Sequence, residues 1–218
     1  MPVDIVCFCS YLVTDDYSKW CPDDHIASKF VNALKGEELK GYAYVPVLGL
    51  RRYLGNANLD DAIGWFADMV ASHMQRHRMH GPFALVPVPN SGNTVRSSTR
   101  PRTVKLARAT APKIVDGTKV LDCLRWKKDL GSARRGAGTR DPATLYQNLA
   151  FISKLPVGTP YILIDDVLTT GGHLQACIAK LTSGGAAVIA GFCAGRTVHD
   201  PPEDPFAVTK ESVPDYLP

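Results

Sequence analysis

Two adjacent carboxylates, Asp165 and Asp166, are followed after two spacers by Thr169, Thr170, Gly171, Gly172 and His173. Those residue types in that order describe a binding site for a phosphorylated sugar. Glycines let a backbone close tightly around a phosphate, threonine hydroxyls add donors, and a helix start supplies unpaired N–H groups and a partial positive charge. The carboxylates would repel that phosphate, so they must face something else. Ribose hydroxyls, which donate hydrogen bonds, or a hydrated magnesium ion fit them. The bland alternative is an ordinary strand-to-helix turn whose acids cap the helix.

Such a turn needs a strand before it and a helix after it. Residues 161–164 form a short apolar run suited to a strand buried on both faces, and Leu174, Ile178 and Leu181 recur at helical spacing. A second apolar run, residues 83–88, ends in a turn containing Asn90, Ser91, Gly92 and Asn93. The backbone amides and polar side chains of that turn are candidates to contact anionic oxygens. Arg96, Arg100 and Arg102 follow, either steering an anion or simply solvated. Residues 125–147 lack a hydrophobic period and carry Arg125, Lys127, Lys128, Arg134, Arg135 and Arg140 among glycines. A loop of that length inside a small domain reads as a solvated surface or as a mobile lid over an anionic substrate.

Elsewhere the patterns are those of an ordinary α/β protein. Residues 3–13 read as a strand. Asp23 or Asp24 is placed to cap a helix with Ile26, Phe30, Val31 and Leu34 on one face, ended by Gly36. Residues 42–48 read as a strand or extended segment interrupted by Pro46, and Arg51, Arg52 and Tyr53 as a loop. Asn58 is placed to cap a helix carrying Ile63, Phe66, Met69 or Val70, and Met74, and residues 118–124 and 187–192 read as further strands. Cys7, Cys9, Cys21 and His25 are near one another in sequence, but their spacing matches no common zinc site, and buried free thiols are the simpler reading. The chain has 218 residues, a net charge of +4 and six scattered cysteines. That argues against a disulfide framework and does not call for nucleic acid. With no bilayer-length apolar run and no signal-peptide pattern, a cytoplasmic protein without membrane association is expected.

The stretch from Ile162 to Gly171 resembles the phosphoribosyl-pyrophosphate (PRPP) motif of type I phosphoribosyltransferases. The order of FVNALKG at residues 30–36, the strand ending in Pro87-Val-Pro89 and the central motif is most similar to the ComF-like branch. The chain departs from the family where Gly172-His173 replaces a small residue and a threonine. It also lacks the branch's paired C-x-x-C arrangement.

The resemblance implies a mostly parallel doubly wound α/β sheet of the type I phosphoribosyltransferase kind, with a small hood built from terminal segments. Residues 1–80 would form the hood and the helices leading into the core, 81–195 the core, and 196–218 a tail or hood segment. In that scheme Thr169, Thr170, Gly171, Gly172 and His173 hold the 5′-phosphate, while Asn90, Ser91, Gly92 and Asn93 hold pyrophosphate. Asp165 and Asp166 hold the ribose hydroxyls, through Mg2+-bound water, and Arg134 and Arg135 in the lid meet pyrophosphate during catalysis. Phe206 or Tyr216 would be candidates to stack on an acceptor base. The implied activity is pentosyl transfer from PRPP to a base or amine, by a homodimer. A non-catalytic PRPP or nucleotide-binding regulator, and a ComF-like accessory protein in DNA uptake or processing, are the competing readings. The last requires a contiguous basic surface.

Overall fold

A computed structural model describes residues 2–14, 16–129, 131 and 141–215. Along the chain come β1 (Val3–Leu12), α1 (Pro22–Leu34), β2 (Ala43–Val47), β3 (Leu50–Leu54) and α2 (Asp61–Arg76). Then follow β4 (Ala84–Pro87), α3 (Thr103–Thr110), β5 (Lys119–Val120), β6 (Leu124–Trp126) and α4 (Pro142–Asn148). The remainder is β7 (Leu149–Phe151), β8 (Tyr161–Leu168), α5 (Gly172–Ser183), β9 (Val188–Val198) and β10 (Thr209–Val213).

Six strands form the central sheet in the order β10-β1-β9-β8-β4-β5. Five of them run parallel, and β10 pairs antiparallel with β1 at the edge. The architecture is therefore α/β with a mixed, mostly parallel sheet. Alternate strand residues feed two cores. Phe8, Leu85, Ile162, Ile164 and Phe192 pack with Phe30 of α1, Phe66 of α2 and Leu106 of α3. On the other side Ile5, Val86, Leu163 and Cys193 pack with Leu145 of α4 and Ile178 of α5. Burial on both faces explains why the strands read as continuous apolar runs. Gly195 admits α1 to the sheet, because a Cβ there would stand 2.8 Å from Val31 Cγ2.

Several local expectations change. Cys21, not Asp23 or Asp24, is the N-cap of α1. Pro22 fixes the first turn, and the Asp24 carboxylate accepts the Cys21 N–H at 2.8 Å. Asn58 lies in a short 3-10 turn, while Asp60 occupies the N-cap position of α2. Arg51, Arg52 and Tyr53 belong to strand β3, not a loop. Leu48 and Gly49 both have positive φ, 50° and 83°, as a two-residue hairpin turn requires. Leucine is an uncommon residue for that role, which hid the hairpin. The expected strand at 118–124 is two strands, and β6 leaves the central sheet to pair with β7.

Arg125 is buried in that pair and holds Asp122 through both guanidinium nitrogens, at 2.5 and 2.8 Å. It is a structural cation rather than part of a lid. Phe206 packs half-buried against the core and anchors its segment. Tyr216 lies outside the described residues. Cys7 and Cys9 are buried in β1 whereas Cys21 is exposed, and among the described residues no group of three or more His, Cys, Asp or Glu is arranged to hold a metal. Nor is any helix among them long and apolar enough to cross a membrane.

Candidate functional site

The chain leaves β4 toward β5 on one side and leaves β8 toward β9 on the other. The carboxyl ends of β4 and β8 are thus neighbours at the point where the winding reverses. In open α/β sheets that crevice is where ligands bind. Strand pairing carries past the end of β4: the Val88 N–H donates to the Ile164 carbonyl at 3.0 Å. The turn with Asn90 to Asn93 is thereby brought beside Asp165 and Asp166.

Asp165 is buried within β8, which runs on to Leu168 beyond the apolar run at 161–164, and is level with Cys193 of β9. Its Oδ1 accepts the Asp166 N–H at 2.8 Å. Burial, and then the charge of Asp166, push the Asp165 carboxyl well above the ordinary range. Asp166 is more open, and its Oδ2 accepts from Arg102 Nη2 at 2.9 Å. Arg102 also donates its backbone N–H to Asn90 Oδ1 at 2.9 Å and Nη1 to the Lys35 carbonyl at 2.5 Å. One arginine therefore joins the acid pair, the β4 turn and the C-terminal end of α1.

Beyond the acids, Thr169 and Thr170 are exposed and Gly171 turns left-handed at φ 79° to start α5. Among the described residues, no hydrogen bond uses the amides of Thr170, Gly171 or Gly172, or either threonine hydroxyl. The loop is held from behind instead. Arg196 of β9 donates Nη1 to the Thr169 carbonyl at 2.6 Å, and it pairs with Glu211 of β10. This arrangement leaves a cluster of uncommitted donors at a helix N-terminus, which suits a phosphate.

The β4 turn is built differently. Asn93 is buried; it donates Nδ2 to the Thr99 carbonyl at 3.2 Å and its N–H to the Asn90 carbonyl at 2.8 Å. Asn90 Oδ1 is taken by Arg102. Ser91 and Gly92 form the outer part, and no hydrogen bond among the described residues uses their amides. Trp126, fully buried, donates Nε1 to the Asn90 carbonyl at 2.9 Å and meets the His173 ring at a centroid distance of 5.3 Å. It braces the two loops against each other.

Asp165, Asp166, Thr169 to His173 and Asn90 to Asn93 thus lie at one end of the sheet. Arg134 and Arg135 lie outside the described residues. Sequence reasoning passed over Trp126, Arg196 and Glu211. Arg196 had a visible signal, a lone cation closing an apolar strand; Trp126 sat unnoticed at the border of a basic stretch. No protein-family model matches the chain, and no curated protein matches its sequence.

Proposed function

We propose that this crevice binds PRPP with Mg2+ and that the chain is a phosphoribosyltransferase, moving the 5-phosphoribosyl group to a base or amine with release of pyrophosphate. The observation that carries the reading is the acid pair of β8 followed, after Val167 and Leu168, by the uncommitted donors of Thr169 to Gly172 at the sheet's reversal point. In the proposed pose the amides and hydroxyls of that loop take the 5′-phosphate. Asp165 and Asp166 accept from the ribose hydroxyls. Ser91 and Gly92 offer amides to pyrophosphate. Arg102 exchanges Asp166 for an anionic oxygen of the leaving group, and Arg134 and Arg135 supply further charge in the lid role that the family resemblance implies.

The residues present fit Mg2+. The ion keeps most of its waters and needs only one or two carboxylates with substrate oxygens. The raised Asp165 carboxyl is a group that a nearby cation would return to the ionised form. Held there, Mg2+ would supply positive charge to offset that of pyrophosphate. The protein's own part is placement: it fixes the phosphate, aligns the ribose, and sets donors where negative charge develops. The acceptor nitrogen forms its bond to C1 on the opposite side, and its proton passes to solvent or to the departing pyrophosphate. The same resemblance suggests a homodimer.

Pyrophosphate release from PRPP with Mg2+, measured across a panel of bases and amines, tests the proposal. Turnover is expected with at least one acceptor. Asp165→Asn combined with Asp166→Asn should lower it by roughly 100-fold or more while the fold persists. Unchanged turnover in that variant would refute the assigned roles. PRPP binding with no release under any acceptor would assign the site to a non-catalytic regulator instead.

A further inference from the structure

A groove of about 590 Å3 lies between the N-terminal half of α1 and the β2–β3 hairpin, lined by Trp20, His25, Lys29, Tyr42, Tyr44 and Arg51 together with smaller apolar contacts. That volume is in the range of small-molecule sites, roughly 300–1,000 Å3. Its lining combines aromatic faces with cations. Trp20 and His25 have ring centroids 4.9 Å apart. Tyr44 is paired with Tyr53 across the hairpin, and Tyr42 stacks on Tyr53 at 5.8 Å. Tyr42, Tyr44 and Tyr53 are 59%, 49% and 51% exposed, an unusual amount of aromatic surface to leave in water on one short hairpin.

No carboxylate lines the groove among the described residues. Of the acids on α1, neither Asp23 nor Asp24 lines it, and Asp24 is buried with Oδ2 accepting the Cys21 N–H. Lys29 Nζ donates to the Tyr42 carbonyl at 2.9 Å, which holds the ammonium at the groove with two donors to spare. Planar rings that can stack a base, next to Lys29 and Arg51 that can take a phosphate, form the chemistry of nucleotide recognition. An apolar peptide would leave both cations unused.

We infer that this groove is a second ligand site and that it takes a free nucleotide, with the base against Trp20, Tyr42 and Tyr44 and the phosphate at Lys29 and Arg51. The site is separate from the crevice at β8. Arg102 grips α1 at Lys35, and the groove residues of α1 lie about 9–20 Å back along the helix at 1.5 Å per residue. The inference therefore stands whether or not the crevice uses PRPP.

Two tryptophans report on the two places. Trp20 lines the groove, and Trp126 touches His173 of the phosphate loop. Indole N–H signals from 15N-labelled full-length protein, assigned with Trp20→Phe and Trp126→Phe, can be followed during titration with AMP, adenosine or ribose 5-phosphate. AMP should move the Trp20 signal saturably, and ribose 5-phosphate, which has no base, should leave it in place. Saturating PRPP with Mg2+ should not displace AMP from the groove. Arg51→Ala alone should weaken the Trp20 response severalfold, and Lys29→Ala with Arg51→Ala about tenfold or more. The inference is overturned if Trp20 stays still up to about 10 mM AMP, a range beyond which affinity has little consequence. It is also overturned if AMP moves only Trp126, if the double variant binds within about twofold of the parent, or if a single-stranded oligothymidylate displaces AMP at lower concentration.

Discussion

Two loops meet at the same end of the sheet, and they spend their polar groups in opposite ways. After β8, Thr169 and Thr170 present hydroxyls to solvent and the amides of Thr170 to Gly172 have no partner among the described residues. After β4, the Asn93 side chain, the Asn93 N–H and Asn90 Oδ1 are all committed to the protein itself. Both stretches are rich in Asn, Ser, Thr and Gly, and both are candidates to grip an anion. The difference lies in which groups the support engages. Arg196 and Glu211 hold the β8 loop by the Thr169 carbonyl, so its own donors stay uncommitted. The β4 turn is held too, by the Trp126 N–H on the Asn93 carbonyl at 3.0 Å and Trp126 Nε1 on the Asn90 carbonyl at 2.9 Å, but those contacts come on top of the bonds that Asn93 makes within its own turn. A polar residue in a loop is therefore a ligand candidate only after the fold's own demands on it are met.

The glycines break this comparison most sharply. Gly171 has φ 79°, and although a Cβ would meet nothing closer than 3.8 Å, an L-residue there is strained by roughly 1–2 kcal/mol. Relief of that strain would rotate the amides that face the phosphate. Gly171→Ala should therefore lower kcat/KM for PRPP on the order of 100-fold, near 2.7 kcal/mol of lost transition-state binding. Gly92, with no positive φ and open space where a Cβ would stand, should accept alanine with kcat/KM within about twofold. Steady-state kinetics on the two variants give the contrast. Equal losses at both positions would erase the distinction between the loops.

Asn93 and Ser91 sharpen the comparison within the β4 turn. Asn93→Ala leaves the Thr99 carbonyl without its buried partner and should cost about 1–2 kcal/mol of stability, visible as a lower denaturation midpoint. Ser91→Ala should leave that midpoint unchanged and weaken product inhibition by pyrophosphate a few-fold, near 1 kcal/mol. The reverse pattern would make Asn93 the ligand residue and Ser91 the scaffold.

What could be read in the sequence follows the same division. The β8 strand, its acids and the helix start were legible because burial on both faces, turn chemistry and helical spacing are all local properties of residues 161–181. The role of Asn93 was not legible, because it depends on Thr99 and on Trp126, which comes from a strand that leaves the central sheet. Nor was the use of Arg102. Its two guanidinium partners, Lys35 and Asp166, are 67 and 64 residues away. The β2–β3 hairpin stayed hidden because its turn is Leu48-Gly49 rather than an asparagine–glycine pair. Local rules identified the elements; only the register between distant strands sorted ligand groups from braces.

The smallest expected effect separates the loops by pH. Asp165 has its folded carboxyl held above the ordinary aspartate value of 3.8, first by burial and then by the charge of Asp166. At pH below that value both the folded and the unfolded chain hold the proton, and the group costs nothing. As pH rises, the unfolded chain ionises first, so stability is lost through the window above 3.8 and the loss persists at neutral pH. Asp165→Asn keeps an oxygen to accept the Asp166 N–H and removes the titration. Its melting temperature should exceed that of the parent by a few degrees at pH 7 and converge with it near pH 4, even as PRPP turnover falls. The β4 turn, Asn90 to Asn93, has no titratable side chain, so its variants should shift melting by the same amount at both pH values. A variant at Asp165 that melts lower at both pH values would mean that the carboxylate supports the fold, and the crevice would then owe its acid pair to structure rather than to a ligand.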